Sequence, residues 1–401
     1  MGRIHLIHLM AAAMLVCVLG MLPLYADTHR YVDANSGDNS NSGTSSGDAW
    51  QTITHALSET SGMGTSTNQV IIHVANGTYS NNMGGGVGET FPLQPRRYNT
   101  IEGESEQDTR IVAPGYGSTS VFRVVNRREE IYLKHLNISG GYSYNGGGIY
   151  MDSATLDVEA CIIENNDSYG QQYMYDPKGC GGGIFCIDDT YLYISDSVIT
   201  NNDCVSNSWG GGGIYFGHNS GGVVSGCEIT YNYARRGAGV FCDVGSSVRF
   251  VACNIDHNDA AKYGGGMWCF DGSSPSIEDC TINHNTAIES FGGLGGHTGC
   301  SPFVVNTEIS YNRLLGYGTQ AGSGMCFGTD CAPVFLDCKI NYNIDSFRGG
   351  GAYFATRCRA SFHNCEFIGN VADKESSPRG GAICASLTSH IRLRNLSLIN
   401  I

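Results

Sequence analysis

Basic residues are scarce in this chain. Its 23 Lys and Arg face 37 Asp and Glu, a formal charge of -14 at pH 7. So acidic a chain lacks the electrostatic footprint of a nucleic-acid binder, and no nucleic-acid partner is expected. Calcium, a neutral glycan or plain solubility all agree with the charge. Long apolar runs are missing beyond residue 24, where no segment approaches 18 uninterrupted apolar residues, so no membrane span is expected in the body of the chain. The 17 cysteines contain no Cys-x-x-Cys pair, which removes the usual basis for a zinc or redox motif, and no bound metal is expected of them. Nor does a cap follow Leu396-Ser397-Leu398-Ile399-Asn400-Ile401. An uncapped solenoid end exposes strand edges, so the sequence is expected to be a fragment, and any membrane attachment would lie in a missing C-terminal part.

The apolar run is instead at the start. Arg3 and His5 precede Leu6 through Leu24, and Leu24-Tyr25-Ala26 offers a cleavage site, so residues 1–26 read as a secretory signal. Export follows: the mature chain is expected outside the cell or on the outer surface of a bacterium. Residues 27–100 read as an N-terminal cap with the first coils, and 101–401 as repeats.

Those repeats dominate the chain. Cys253-Asn254-Ile255-Asp256-His257-Asn258, then Gly264-Gly265-Gly266-Met267-Trp268-Cys269, has copies throughout. The first half closes on Asn166, Asn202, Asn232, Asn258, Asn285, Asn312, Asn343 and Asn370, and the glycine half recurs beside most of them. A unit of roughly 27 residues holds about three strands and cannot bury a core unless it is stacked on its neighbours. A solenoid of parallel strands therefore follows, in which equivalent residues of successive coils lie about 4.8 Å apart and each sequence column becomes a physical stack. Asn tolerates a left-handed backbone and its amide both donates and accepts, so the eight asparagines are expected to form a hydrogen-bonded run at one corner. The glycines allow another corner to turn.

Gly380-Gly381-Ala382-Ile383, preceded by Phe367-Ile368-Gly369-Asn370, resembles the paired GGAI and FxxN motifs of polymorphic outer membrane protein repeats. The wider pattern is similar to the right-handed parallel β-helix superfamily that includes pectate-lyase-like proteins. The resemblance spans residues 100 to 401. It implies an all-β fold, a right-handed parallel β-helix with a short capping helix. The stretch from Tyr31 through Leu57, continued by Val70 to Val74 and Gly77-Thr78-Tyr79, resembles a domain of unknown function found at the start of bacterial β-helix proteins. Here Asp48 with Gln51 has the form of a capping box, and Trp50, Ile53 and Leu57 make one apolar face of a helix that would plug the first coil. The Asp33 to Asn41 loop is rich enough in oxygen for calcium, though Asx turns account for it equally well.

Cys161, Cys227, Cys253, Cys280, Cys338 and Cys365 share one inward column, broken by Ser197 and Thr307, and Cys186, Cys242 and Cys269 share another. Stacked buried thiols are expected there. Cys180 with Cys204 is the best disulfide pair. Strand alternation turns Tyr150, Phe185, Tyr215, Phe241, Trp268 and Tyr353 outward, a strip of rings expected either to bind a glycan or other cell-surface ligand or to be covered by loops as a satellite core. A second strip, Tyr231, His257, His284, Tyr311 and Tyr342, reads as corner packing.

A lyase of this fold would need a base beside a calcium-carboxylate cluster, and a hydrolase a pair of acids. Asp188-Asp189 is the one adjacent acidic pair on the glycine-strand turn, with His218 and His297 near equivalent turns and Lys178 in the longest loop. None comes with the partners of a recognised catalytic motif. The expected function is adhesion or carbohydrate binding. The alternatives are a polysaccharide lyase or glycoside hydrolase acting beside the glycine-run strands, and a structural passenger stalk.

Overall fold

The computed structural model describes residues 26–82, 87–117, 119–170, 181–205, 210–316, 322–344, 346–373 and 380–399. Its strands form four parallel sheets of 13, 10, 12 and 7 strands, each built from one strand per coil. A single coil shows the path. It runs through Val240–Cys242, Ser247–Val251, Asn254–Asp256 and Asp259–Tyr263 before Met267–Cys269 opens the next. The repeat thus supplies four strands, one more than its length implied; the extra sheet, to which Asp259–Tyr263 belongs, is the shortest. Pairing keeps register from coil to coil, as in Asn254↔Thr281, Ile255↔Ile282 and Asp256↔Asn283. The cap region belongs to the same body, for Thr28–Val32 pairs with Val70–Val74 and that strand with Asn99–Gly103.

Left-handed residues recur at the corners of successive coils. At the corner before the shortest sheet these are Asn165, Asn201, Tyr231, His257, His284, Tyr311, Tyr342 and Gly369, with φ between 51° at His284 and 60° at Gly369. The left-handed residue is therefore the one before each ladder asparagine, a correction to the expectation that the asparagine itself turns the chain. Turning at the preceding residue throws its side chain outward and aims the asparagine amide inward. There Asn166 donates to Asn202, Asn202 to Asn232, Asn232 to Asn258, Asn258 to Asn285, Asn285 to Asn312, Asn312 to Asn343 and Asn343 to Asn370, through Nδ2 to Oδ1 at 3.0–3.1 Å. A second Nδ2 hydrogen goes to a main-chain carbonyl, that of Ile229 in the case of Asn258 at 2.8 Å. These amides are buried and satisfied on every side, which removes the cost of placing them there.

Inside, Ile163, Ile199, Ile229, Ile255, Ile282, Ile309 and Ile340 stack in a fully buried column that Phe367 continues. Each contributes about 1.5–3 kcal/mol of apolar burial. The predicted thiol columns are present. Cys161, Cys227, Cys253, Cys280, Cys338 and Cys365 are buried and unpaired, as are Cys186, Cys242 and Cys269. A third run, Cys300, Cys331 and Cys358, is buried as well, and its copies are far enough from the repeat core that the sequence columns did not pick it out. The thiols donate to nearby carbonyls, Cys253 Sγ to Val224 at 3.3 Å and Cys227 Sγ to Ser225 at 3.2 Å. Burial pushes the Cys161 thiol up to about 12, so it stays protonated. Of the suggested Cys180–Cys204 disulfide, Cys180 lies outside the described residues. Cys204 sits in a separate small core with Ala234, Ala260, Ala287 and Leu314.

Helix α1, Ile53–Glu59, buries Ile53, Ala56 and Leu57 against the first coil, with Trp50 in the same core. Its cap differs from the expected one. Thr52 is the N-cap and accepts from the His55 amide at 3.1 Å, while Asp48 accepts from the Ser42 amide at 3.2 Å. The remaining amides are met from outside the helix: Glu89, itself buried, accepts from Ile53 N at 2.7 Å and Thr54 N at 2.8 Å. Burial pushes the Glu89 carboxyl up, and the Thr54 and Ile53 donors pull it partly back. Glu89→Ala strands two amides under the cap and is expected to cost about 2–4 kcal/mol, read as a lowered midpoint of thermal unfolding, with Glu89→Gln in between. An unchanged midpoint in Glu89→Ala would show that the cap is held by packing alone.

The Asp33 to Asn41 loop takes the Asx-turn form. Asp33 Oδ1 accepts from the amides of Asn35 at 2.8 Å and Ser36 at 3.2 Å, Asp38 Oδ1 from that of Ser40 at 2.8 Å, and Asn39 Oδ1 from that of Gln51 at 2.9 Å. Its side-chain oxygens are turned to the loop's own backbone and to that of Gln51.

Candidate functional site

The outward ring strip forms as a column but not as a free surface. Tyr150 stacks on Phe185 at 5.5 Å between centroids, Phe185 on Tyr215 at 5.1 Å, and Tyr215 on Phe241 at 5.3 Å. Phe185, Tyr215 and Phe241 are fully buried, Trp268 is nearly so, and Tyr150 and Tyr353 are half-buried. This corrects the expectation of an exposed contact strip; the satellite core is what forms. The reason is geometric. Phe185 and Tyr215 lie face to face with the rings of both neighbouring coils and so spend both faces on them, while Phe241 stacks on Tyr215 and meets Trp268 at 60°. The Tyr215 hydroxyl also donates to the buried Asp243, whose carboxyl burial pushes up.

The column is broken one coil after Trp268. The register Trp268↔Gly295 puts glycine where the next ring belongs, and Gly295↔Cys326 puts a small side chain after it. Phe291, left-handed at φ 37° at a turn where other coils have glycine, swings its ring into part of the gap: a Cβ on Gly295 would lie 2.3 Å from it. What remains open is a cavity of about 240 Å³ lined by Arg236, Tyr263, Trp268, Phe270, Phe291, Gly296, His297, Cys326 and Gly328. Here one ring face stays bare. Phe270 stacks on His297 at 4.8 Å, and the next position in that column is Gly328, which has no side chain to cover the imidazole.

Polar groups surround the opening. The Arg236 guanidinium lies 5.2 Å from the Trp268 ring centre and 5.7 Å from that of Tyr263, and burial lowers its proton affinity. Trp268 is 4% exposed and its Nε1 is buried with no acceptor among the described residues. His297 Nδ1 lies 2.8 Å from Asp271 Oδ1, which leaves Nε2 for other contacts. Lys262 pairs with Glu289 at 2.8 Å beside Tyr263.

Other predicted residues fall elsewhere. Asp188 and Asp189 are consecutive left-handed residues at φ 52° and 55°, three strands from Trp268 along the ten-stranded sheet, or about 14 Å at about 4.8 Å per strand. Asp189 pairs with Arg128 at 3.6 Å. Lys178 lies outside the described residues. The cavity itself was missed in sequence. Its signal was present as Gly295, which follows five aromatic residues, Tyr150, Phe185, Tyr215, Phe241 and Trp268, in its column.

Parallel pairing in four sheets, one strand per coil, defines a right-handed parallel β-helix. Within it, residues 174–301 match the family model for a right handed beta helix region, and residues 35–128 match that of a protein family of unknown function, DUF1565. Among solved structures, the chain is similar to pectate lyase Pel9A, at 13% identity and a TM-score of 0.39, covering 91% of this chain and 78% of that one. It is also similar to the pectin methylesterase PemA from Erwinia chrysanthemi, at 10% identity and a TM-score of 0.29, covering 88% and 92%. No curated protein matches the chain significantly.

Proposed function

We propose that this is an exported, surface-displayed or secreted β-helix that binds carbohydrate, and that its contact is the cavity at the broken ring column. The observation that carries this reading is the His297 imidazole at the mouth of an aromatic opening, stacked on Phe270 at 4.8 Å with its other face left bare by Gly328. A sugar's C–H face packs on the uncovered His297 imidazole, and its hydroxyls meet the polar groups around the opening, Arg236 among them. At about 240 Å³ the cavity is below the usual range for ligand pockets, which begins near 300 Å³, so it suits one ring of a longer glycan. Arg236 on the same wall favours a ring that carries a carboxylate.

A second reading has its own observation, the His297–Asp271 pair at the mouth of the cavity. An imidazole oriented by a carboxylate is a general acid or base, and a lyase or hydrolase would use it on the bound ring.

One panel of polysaccharides tests both. Binding by the protein is expected to weaken at least about ten-fold in Trp268→Ala and in His297→Ala, the second of which alters an exposed side chain and leaves the fold alone. Glycan binding that both variants retain would remove the cavity as the site. Release of unsaturated or reducing ends, lost in His297→Gln while binding persists, would promote the second reading over the first.

A further inference from the structure

The second strip of rings is the one that reaches solvent. Tyr231, Tyr311 and Tyr342 are 57%, 44% and 43% exposed, and the side chains of His257 and His284 45% and 47%. The five stack in order at 5.1, 5.0, 5.1 and 5.2 Å. Their faces are used up on one another and their edges point outward, so the strip offers no platform for a sugar ring. It does offer donor atoms in two of its coils.

We propose that Asp256, His257 and His284 form a binding site for a divalent transition-metal ion. Two sequence columns coincide to make it. In the left-handed column, imidazoles occupy consecutive coils at His257 and His284 alone among the eight positions. In the column just before it, with Glu164, Thr200, Thr230, Asp256, Asn283, Ser310, Asn341 and Ile368, an acid falls next to that pair at Asp256. The register Asp256↔Asn283 sets His257 directly over His284. The Asp256 carboxylate reaches both imidazoles: Oδ2 lies 2.8 Å from His257 Nδ1 and Oδ1 3.0 Å from His284 Nδ1.

The donor atoms are already gathered. One from each residue lies within 4.8 Å of the other two. A tetrahedral ion with metal–nitrogen bonds of about 2.1 Å needs its nitrogens about 3.4 Å apart, so the site closes by small rotations of two exposed side chains. Tyr231 and Tyr311 cover the outer faces of the two imidazoles and hold them parallel. Two imidazoles and one carboxylate suit zinc, nickel or copper, and copper most strongly, and not calcium or magnesium, which take oxygen. Each neutral imidazole binds the ion through Nδ1 and carries its one N–H on Nε2, so the Nδ1 contacts to Asp256 are replaced by bonds to the ion. Its remaining positions face solvent.

Titration of the intact chain with zinc chloride, followed by calorimetry, is expected to show one saturable site per chain, weakened about ten-fold or more by His284→Ala and by Asp256→Asn and unaffected by His297→Ala. All three changes are on the surface, and unchanged circular dichroism checks that the fold survives them. Cobalt(II) in place of zinc separates this site from the thiol columns. Weak visible bands without sulfur charge transfer are expected. Intense thiolate charge transfer, zinc binding that His257→Ala and His284→Ala leave intact, or the absence of saturable binding would each overturn the site.

Discussion

Replacing Asn258 by alanine is expected to cost about 3–6 kcal/mol and to open the coils on either side. The side chain closes two links of the asparagine run. Its Oδ1 accepts from both the amide and Nδ2 of Asn232, each at 3.0 Å, and its Nδ2 donates to Ile229 O and Asn285 Oδ1. Truncation leaves Asn232 with two buried donors and Ile229 with a carbonyl, at roughly 1–3 kcal/mol for each unsatisfied group. Asn258→Asp is expected to be at least as damaging, because an acceptor then faces the acceptors Ile229 O and Asn285 Oδ1 and carries a buried charge. Glu228→Ala, on an exposed side chain one coil away, should stay within about 0.5 kcal/mol. Stability in a stacked array is a sum of local and neighbour terms, so hydrogen exchange is the informative measurement: amides from about Asn232 to Asn285 should lose protection first. Uniform protection across the array in Asn258→Ala would show that strand pairing carries the corner without the amides.

The second large effect is expected at the third glycine of each run. Gly239→Ala would place a Cβ 2.5 Å from the Gly266 carbonyl oxygen and 3.0 Å from Asn258 Nδ2. Neither neighbour can give way. The carbonyl accepts from Val240 N at 2.9 Å, and the amide belongs to the asparagine run. A cost of about 2–4 kcal/mol follows from forcing the two coils apart. The same clash awaits a side chain at Gly183, Gly213, Gly266, Gly293, Gly324 and Gly351, each of which faces the carbonyl of the next coil at 2.5–2.8 Å. Ala382 occupies the corresponding place beside the edge strand Ile383–Ala385, which pairs on one side alone in the ten-stranded sheet. Gly47→Ala, where a Cβ meets nothing within 4 Å, is the control and should be near neutral. Equal urea midpoints for Gly239→Ala and Gly47→Ala would show that coil spacing is softer than the contacts imply.

The columns explain what could be read before any coordinates. A repeat of roughly 27 residues forces equivalent positions into contact, so the asparagine run, the isoleucine core and the thiol columns follow from identity and spacing alone. Left-handed turns were legible too, but one residue off, since Asn258 looks like the natural turn residue and the strain falls on His257. Strand number was underread because Asp259–Tyr263 has no strong alternating pattern of its own. The cap of helix α1 was misplaced because its decisive acceptor, Glu89, is remote in sequence.

What the sequence by itself determined is the stack: which residues sit above which, because a short unit repeated in tandem has one way to bury its apolar face. Tertiary structure alone decided which stacked surfaces are available. Rings in register cover each other, so an aromatic column closes itself except where Gly295 interrupts it, and an acid acquires two imidazoles where Asp256 happens to neighbour His257 and His284. Those outcomes depend on distances across coils and on which side of a ring remains bare, quantities that no single repeat carries.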